Sequence, residues 1–221
     1  MKKFTIFMSV SLLALGFAAC HKKGIKGEGN IVSETRIVGD FAKIEANGST
    51  DVTVVADNEY YVIVKGYSNL VPIYKTKVNG DRLILEFKEG YWNVRNDNIT
   101  IEVHTPYIDK ASLNGSGSIY VGSGFKHDRL DAHINGSGDI EVTGNTFGYM
   151  DVNINGSGSF NSETTDVGNV YVKISGSGDA YVTALDYLKV RISGSGDVYY
   201  RGNPGTVDLD ISGSGQVHKR N

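Results

Sequence analysis

The sequence predicts an all-β chain wound into a right-handed parallel β-helix, a solenoid whose coils take about twenty residues, with a less regular β-rich N-terminal half. Three observations predict it. First, a hydrophobic residue, a small polar residue and Gly-Ser-Gly recur six times in the last half of the chain, beginning at Leu113, Ile134, Ile154, Ile174, Ile192 and Ile211. The first glycines of these copies lie 21, 20, 20, 18 and 19 residues apart. Second, the residues leading into each copy alternate strictly between apolar and polar. Third, the differences in coil length fall in the loop after each copy, as in Gly122-Ser123-Gly124-Phe125, and never in the Gly-Ser-Gly itself.

The alternation defines the first strand of each coil. Leu130, Ala132 and Ile134 point inward, as do Met150, Val152 and Ile154, Val170, Val172 and Ile174, Leu188, Val190 and Ile192, and Val207, Leu209 and Ile211. The positions between them are polar and face out; this sets Lys189 beside Asp208 and Arg191 beside Asp210 on neighbouring coils. A shorter second strand turns Ile119, Ile140, Phe160, Ala180, Val198 and Val217 inward. Between the two strands the chain must turn sharply without a side chain striking the neighbouring coil, which only glycine allows cheaply. Gly115, Gly117, Gly136, Gly138, Gly156, Gly158, Gly176, Gly178, Gly194, Gly196, Gly213 and Gly215 are therefore structural corner residues, with their serines stacked from coil to coil. The competing reading is an antiparallel meander with a hairpin turn at each Asn-Gly.

Residues 31–112 read as an irregular cap or wider coils. Strands are expected over 52–56, 60–65, 82–87 and 98–104, a turn at Asn79-Gly80-Asp81, and a degraded seventh copy at Ile44-Glu45-Ala46-Asn47-Gly48-Ser49. The regular repeats fill 113–221. Past the last corner, His218, Lys219 and Arg220 are placed to guard an open strand edge.

Residues 1–19 have the form of an export signal: Lys2 and Lys3, an apolar stretch too short to span a bilayer, then Ala18-Ala19 before Cys20, the chain's one cysteine. Leu15-Gly16-Phe17-Ala18-Ala19-Cys20 resembles a bacterial lipoprotein signal, with Phe17 where the strictest form has an aliphatic residue. The resemblance implies cleavage before Cys20 and its lipidation, hence a membrane partner through a lipid anchor. Residues 20–30 would be the tether, and His21, in place of a retention-type aspartate, points to the outer membrane, on its periplasmic side or at the cell surface. Without residues 1–19 the net charge is 20 − 25 = −5, which disfavours nucleic acid as a partner. With Cys20 acylated no thiol remains for a disulfide, a thiolate metal site or a nucleophile.

Candidate chemistry is sparse. Asp179 and Asp197 follow successive corners and could face each other to hold a calcium ion, or to act as an acid and base on a sugar. The alternative is that each bonds nearby turn amides. Tyr181 and Tyr199, with Tyr200 beside them, form a candidate ligand-binding surface for a glycan or a protein. No metal-ligand spacing among the histidines and no catalytic motif is present, and the chain reads as a non-enzyme. Asn47, Asn114, Asn135 and Asn155 match a glycosylation sequon that is incidental to the corner.

The lipoprotein-type leader, the run Phe41-Ala42-Lys43-Ile44-Glu45-Ala46-Asn47-Gly48 and the repeated Ile-x-Gly-Ser-Gly-Asp together resemble the head GIN domain family of auto-transporter adhesins, over residues 38–215. The resemblance implies a cell-surface adhesin and carries no catalytic residues. It departs from a true autotransporter in having a lipid anchor and no membrane barrel. The reading is thus a non-catalytic envelope lipoprotein presenting a β-helical flank to a glycan or protein. The alternatives are a carbohydrate-active lyase or hydrolase, or a structural protein that self-assembles as a homo-oligomer through its open end.

Overall fold

The computed structural model describes residues 24–91, 93–125 and 127–221. The export signal and Cys20 lie outside the described residues. Among those described there is no α-helix, only a 3-10 turn at Val71–Ile73 and strands throughout. Neighbouring repeats pair in parallel with every corner in register: Gly115 lies on Gly48, Gly136 on Gly115, and so on to Gly213 on Gly194. The chain is therefore a solenoid of stacked coils, and the meander is overturned; a meander would pair these strands antiparallel.

The inward residues read from the alternation form the core. Leu130, Ala132, Ile134, Met150, Val152, Ile154, Val170, Ile174, Leu188 and Val190 are wholly buried, and Ile119, Ile140, Phe160, Ala180 and Val198 close the second wall. A third wall, from the return loops, adds Phe125, Phe147, Val167 and Ala184. The pattern fails only in the last coil. Val207, Leu209 and Ile211 sit in register on Leu188, Val190 and Ile192 but are 39%, 48% and 40% exposed, because among the described residues no coil lies beyond them.

The N-terminal half contains both coils and a cap, stacked out of sequence order. The weak copy is a full coil, Lys43–Gly48 turning into Asp51–Ala56. On one side it meets Lys110–Gly115 and Ser118–Val121. On its other side lies a coil made later in the chain, Arg82–Phe87 and Thr100–Thr105. Antiparallel strands then seal that end: Tyr74–Asn79 on Arg82–Phe87, and Tyr61–Tyr67 on Thr100–Thr105, with Ile31–Ile37 outermost. The sequence turn at Asn79-Gly80 joins the first of these hairpins, with Gly80 at φ 63°. Within the span expected as a tether, 20–30, the described residues are held to the fold: Gly24–Lys26 pairs with Asn93–Arg95, and Asn69 clamps the following residues by donating to Lys26 O and accepting from Glu28 N.

The corners show why glycine recurs. Gly176, for example, has φ 135°, and a Cβ there would stand 2.2 Å from Gly156 O; at Gly178 the backbone is ordinary, but a Cβ would stand 2.1 Å from Gly158 O. The closeness has a purpose. In each corner the serine and second-glycine N–H groups donate to the first-glycine carbonyl of the coil before, as Ser177 and Gly178 do to Gly156 O at 2.9 and 3.1 Å.

The small polar residue before each corner builds a second ladder. Asn155 donates to Asn135 Oδ1 at 3.0 Å, Asn135 to Asn114 at 2.8 Å, Asn114 to Asn47 at 2.9 Å, and Asn47 to Glu86 Oε2 at 3.0 Å. A carboxylate can only accept here, so Glu86 sets the direction of every amide above it. Lys75, at 2.7 Å, and then Asn47 hold the Glu86 carboxyl below its ordinary pKa. The sequon matches are this ladder.

Candidate functional site

The aspartates after the corners cap turns. Asp51, Asp139, Asp179 and Asp197 each accept the backbone N–H of the equivalent residue in the next coil, at 3.0, 2.8, 2.8 and 2.8 Å. Asp179 and Asp197 are thus neighbours, as their spacing suggested, but one oxygen of each is committed to an amide. The other oxygen of Asp197 takes the Tyr199 hydroxyl at 3.3 Å and faces His218 Nε2 at 3.6 Å. Among the described residues no group of three or more His, Cys, Asp or Glu could hold a metal ion.

The tyrosine surface divides in two. Tyr181 and Tyr199 stack with centroids 4.9 Å apart and planes 7° from parallel, and His218 continues the stack at 4.9 Å. Desolvation and then Asp197 raise the Tyr199 hydroxyl pKa. Tyr200 does not join them. It pairs with Val182 on the inward side of the strand and packs against the core, since side chains alternate and Val198 already points in. The stack is also covered: the Arg220 guanidinium lies 5.8 Å from both ring centroids, drawn there by Glu163 at 2.7 Å, which Arg201 also approaches at 3.5 Å. Arg220 therefore folds onto the flank, while His218 and Lys219 lie on Val217–Lys219, a strand paired, among the described residues, only with Val198–Arg201.

A second aromatic column stands on the first wall. Tyr149, Tyr171 and Tyr187 follow one another at 4.9 and 5.5 Å, tilted by 34° and 44°, and Arg129 covers the Tyr149 ring at 4.5 Å. Desolvation leads the upward pKa shift of the Tyr149 hydroxyl. Tyr171 borders a surface concavity of about 340 Å³ lined by Asp151, Asn153, Lys173, Lys189 and Arg191. Lys189 is paired with Asp208 at 2.6 Å and Arg191 with Asp210 at 3.9 Å, the pairs the alternation placed on adjacent coils. This column escaped the sequence reading because its members are 22 and 16 residues apart. Tyr149 and Tyr187 both lie in register with Asn169, whereas Tyr171 lies opposite Asp151 and Lys189, so its ring meets the other two on the diagonal.

At the capped end His104 is nearly buried between two carboxylates, Asp57 at 2.9 Å and Glu102 at 2.6 Å, and stacks on Tyr61 at 4.0 Å. The bond from His104 holds the Asp57 carboxyl below its ordinary pKa. The cluster ties Thr100–Thr105 to its antiparallel neighbour.

The comparisons agree with this architecture. No curated protein matches the chain. Among solved structures, a "putative adhesin" from Bacteroides fragilis is 20% identical with a TM-score of 0.70, covering 89% of this chain and all of that one. A "putative adhesin" from Parabacteroides merdae is 20% identical with a TM-score of 0.60, covering 90% and 99%. A "putative lipid binding protein" from Parabacteroides distasonis is 23% identical with a TM-score of 0.58, covering 90% and 100%. At these identities the likeness is one of fold. Residues 40–204 match the family described as "Putative auto-transporter adhesin, head GIN domain", and the chain belongs to that family.

Proposed function

We propose that the protein is a non-catalytic binding module of the cell envelope that presents its first wall to a glycan. The observation that carries this reading is the Tyr171 concavity. An aromatic ring set in a column of three stands over hydrogen-bonding and charged side chains, all held on rigid parallel strands. Rings of this kind stack on the apolar faces of sugars while the polar neighbours bond their hydroxyls. The Tyr181 and Tyr199 stack is the weaker surface, because Arg220 lies over it. The capping role of Asp179 and Asp197 favours binding over a lyase or hydrolase. The adhesin description of the family and of two relatives supports attachment at the cell surface, and the leader of this chain supports a lipid anchor at Cys20 in the outer membrane. Binding to a glycan array should be retained by the natural protein and lost in Tyr171→Ala. Retention of no glycan by the natural protein would sink the proposal.

A second reading, association with another copy, is favoured by the bare terminal coil with Val207, Leu209 and Ile211 uncovered. Light scattering across concentration tests it, and a strict monomer counts against it.

A further inference from the structure

The first-wall concavity is a grid of six outward side chains whose charges are unevenly placed. Parallel pairing sets Asp151, Tyr171 and Lys189 side by side on three successive coils, and Asn153, Lys173 and Arg191 in the same order two residues further along their strands. Neighbours in such a grid stand about 5 Å apart across the coils and about 7 Å apart along a strand, the dimensions of one sugar ring.

The second row ends in two cations set against each other. Lys173 and Arg191 are exposed register partners, and like charges on neighbouring strands repel. Among the described residues Lys173 is in no ion pair, and Arg191 reaches only Asp210, at 3.9 Å with both side chains more than half exposed. Lys189, by contrast, is closed onto Asp208 at 2.6 Å. Beside the two cations stands an acceptor that lacks a donor: Asn153 Oδ1 is buried and unbonded. Asp151 holds the corner diagonal to Arg191. The concavity thus has a cationic corner, an anionic corner and an aromatic ring between them.

We infer that the concavity binds an acidic sugar residue, a hexuronate, whose carboxylate bridges Lys173 and Arg191 while its ring lies on Tyr171. The inference rests on the glycan reading of this wall and names the class of glycan it takes. A carboxylate placed there relieves the repulsion between the two cations and meets the planar fork of Arg191, which binds two oxygens at once. The apolar face of the sugar stacks on the tyrosine ring. One ring hydroxyl donates to Asn153 Oδ1 and another to Asp151, since both oxygens only accept. Asp151 also repels a second anion at its corner, so the bound unit carries one acid group and lies one way round. A neutral sugar would leave Lys173 and Arg191 repelling each other, and a densely sulfated chain would set anions against Asp151.

The test is a calorimetric titration of the full chain with oligomers of galacturonate, mannuronate and glucuronate, each beside its methyl ester, and with dextran sulfate as a measure of plain ion exchange. At least one acid should bind about tenfold or more tightly than its ester, an advantage that shrinks as salt is added. Lys173→Gln and Arg191→Gln should each remove most of that advantage, whereas Lys173→Arg should keep it. Both side chains are exposed, so these variants leave the fold intact. Lys77→Gln, an equal loss of charge on the capping strand Tyr74–Asn79, should change nothing. Equal binding of every acid and its ester, survival of the advantage in both glutamine variants, or tighter binding of dextran sulfate than of any uronate would each overturn the inference. Tyr171-dependent binding of neutral glycans alone would overturn it and leave the first-wall reading standing, whereas a protein that binds no glycan would sink both.

Discussion

The two ends of the solenoid are finished differently. At one end Arg82–Phe87 and Thr100–Thr105 are covered by antiparallel strands, and Leu83, Leu85, Ile101 and Val103 are buried. At the other, Thr206–Gly213 carries the same inward alternation, yet its apolar side chains stand about half in solvent. The difference teaches that the inward pattern belongs to the repeat, whereas burial belongs to the neighbour. Each coil can only bury what the next one covers.

Substitutions that contrast an end with the middle sharpen this comparison. The largest effect is expected at the corners. Gly176→Ala combines left-handed strain with a clash against Gly156 O and should cost roughly 2–5 kcal/mol. Gly48→Ala has the same kind of backbone, φ 113°, with open space around it, and should cost only ~1–2 kcal/mol in denaturant titrations. Equal losses would show that corner strain, and not close approach, governs these glycines. Next in size, Leu188→Ala in the covered coil should cost about 2–4 kcal/mol. Leu209→Ala, one coil further out and about half exposed, should cost ~1 kcal/mol. A similar loss at both positions would mean that something covers the terminal coil in solution. Asn135→Ala should cost roughly 1 kcal/mol by interrupting the amide ladder, and Ser175→Ala, beyond the asparagine run, less than that.

The smallest effect separates the ends by pH. Asp57, Asp81 and Glu86, all near the capped end, are held below their ordinary pKa by His104, Lys43 and Lys75 respectively. Near the open end, Asp208 is held down by Lys189. A lowered carboxyl stabilises the fold above its unfolded pKa, and that contribution is lost as pH falls through the folded value. Hydrogen exchange on descending below about pH 4 should therefore open strands 61–67 and 74–87 before the central coils. Uniform loss of protection along the rod would contradict this.

Much of the fold was legible because period-two alternation and the glycine corner are local signals. Coil 43–56 was visible only as a weak copy, and coil 82–105 only as two separate strands, since it replaces the corner with residues 88–99. The order of stacking left no local trace: which strand lies beside Lys43–Gly48 depends on pairings 39 and 67 residues away. The site was less legible. Parity along the strand could have placed Tyr200 inside, given Val198, whereas Tyr149, Tyr171 and Tyr187 share no spacing that announces them. Asn47, Asn114, Asn135 and Asn155 were plain in the sequence, but only the stacked structure shows what their amides do.

The out-of-order coil also bears on how the rod is made. Segment 43–56 leaves the ribosome first, yet both of its flanks are supplied by chain that follows it, residues 82–105 on one side and 110–121 on the other. It waits as a keystone waits for its arch. Long-range closure of this kind is slow, so assembly of residues 31–121 should set the folding rate, with later coils adding one by one onto a finished template.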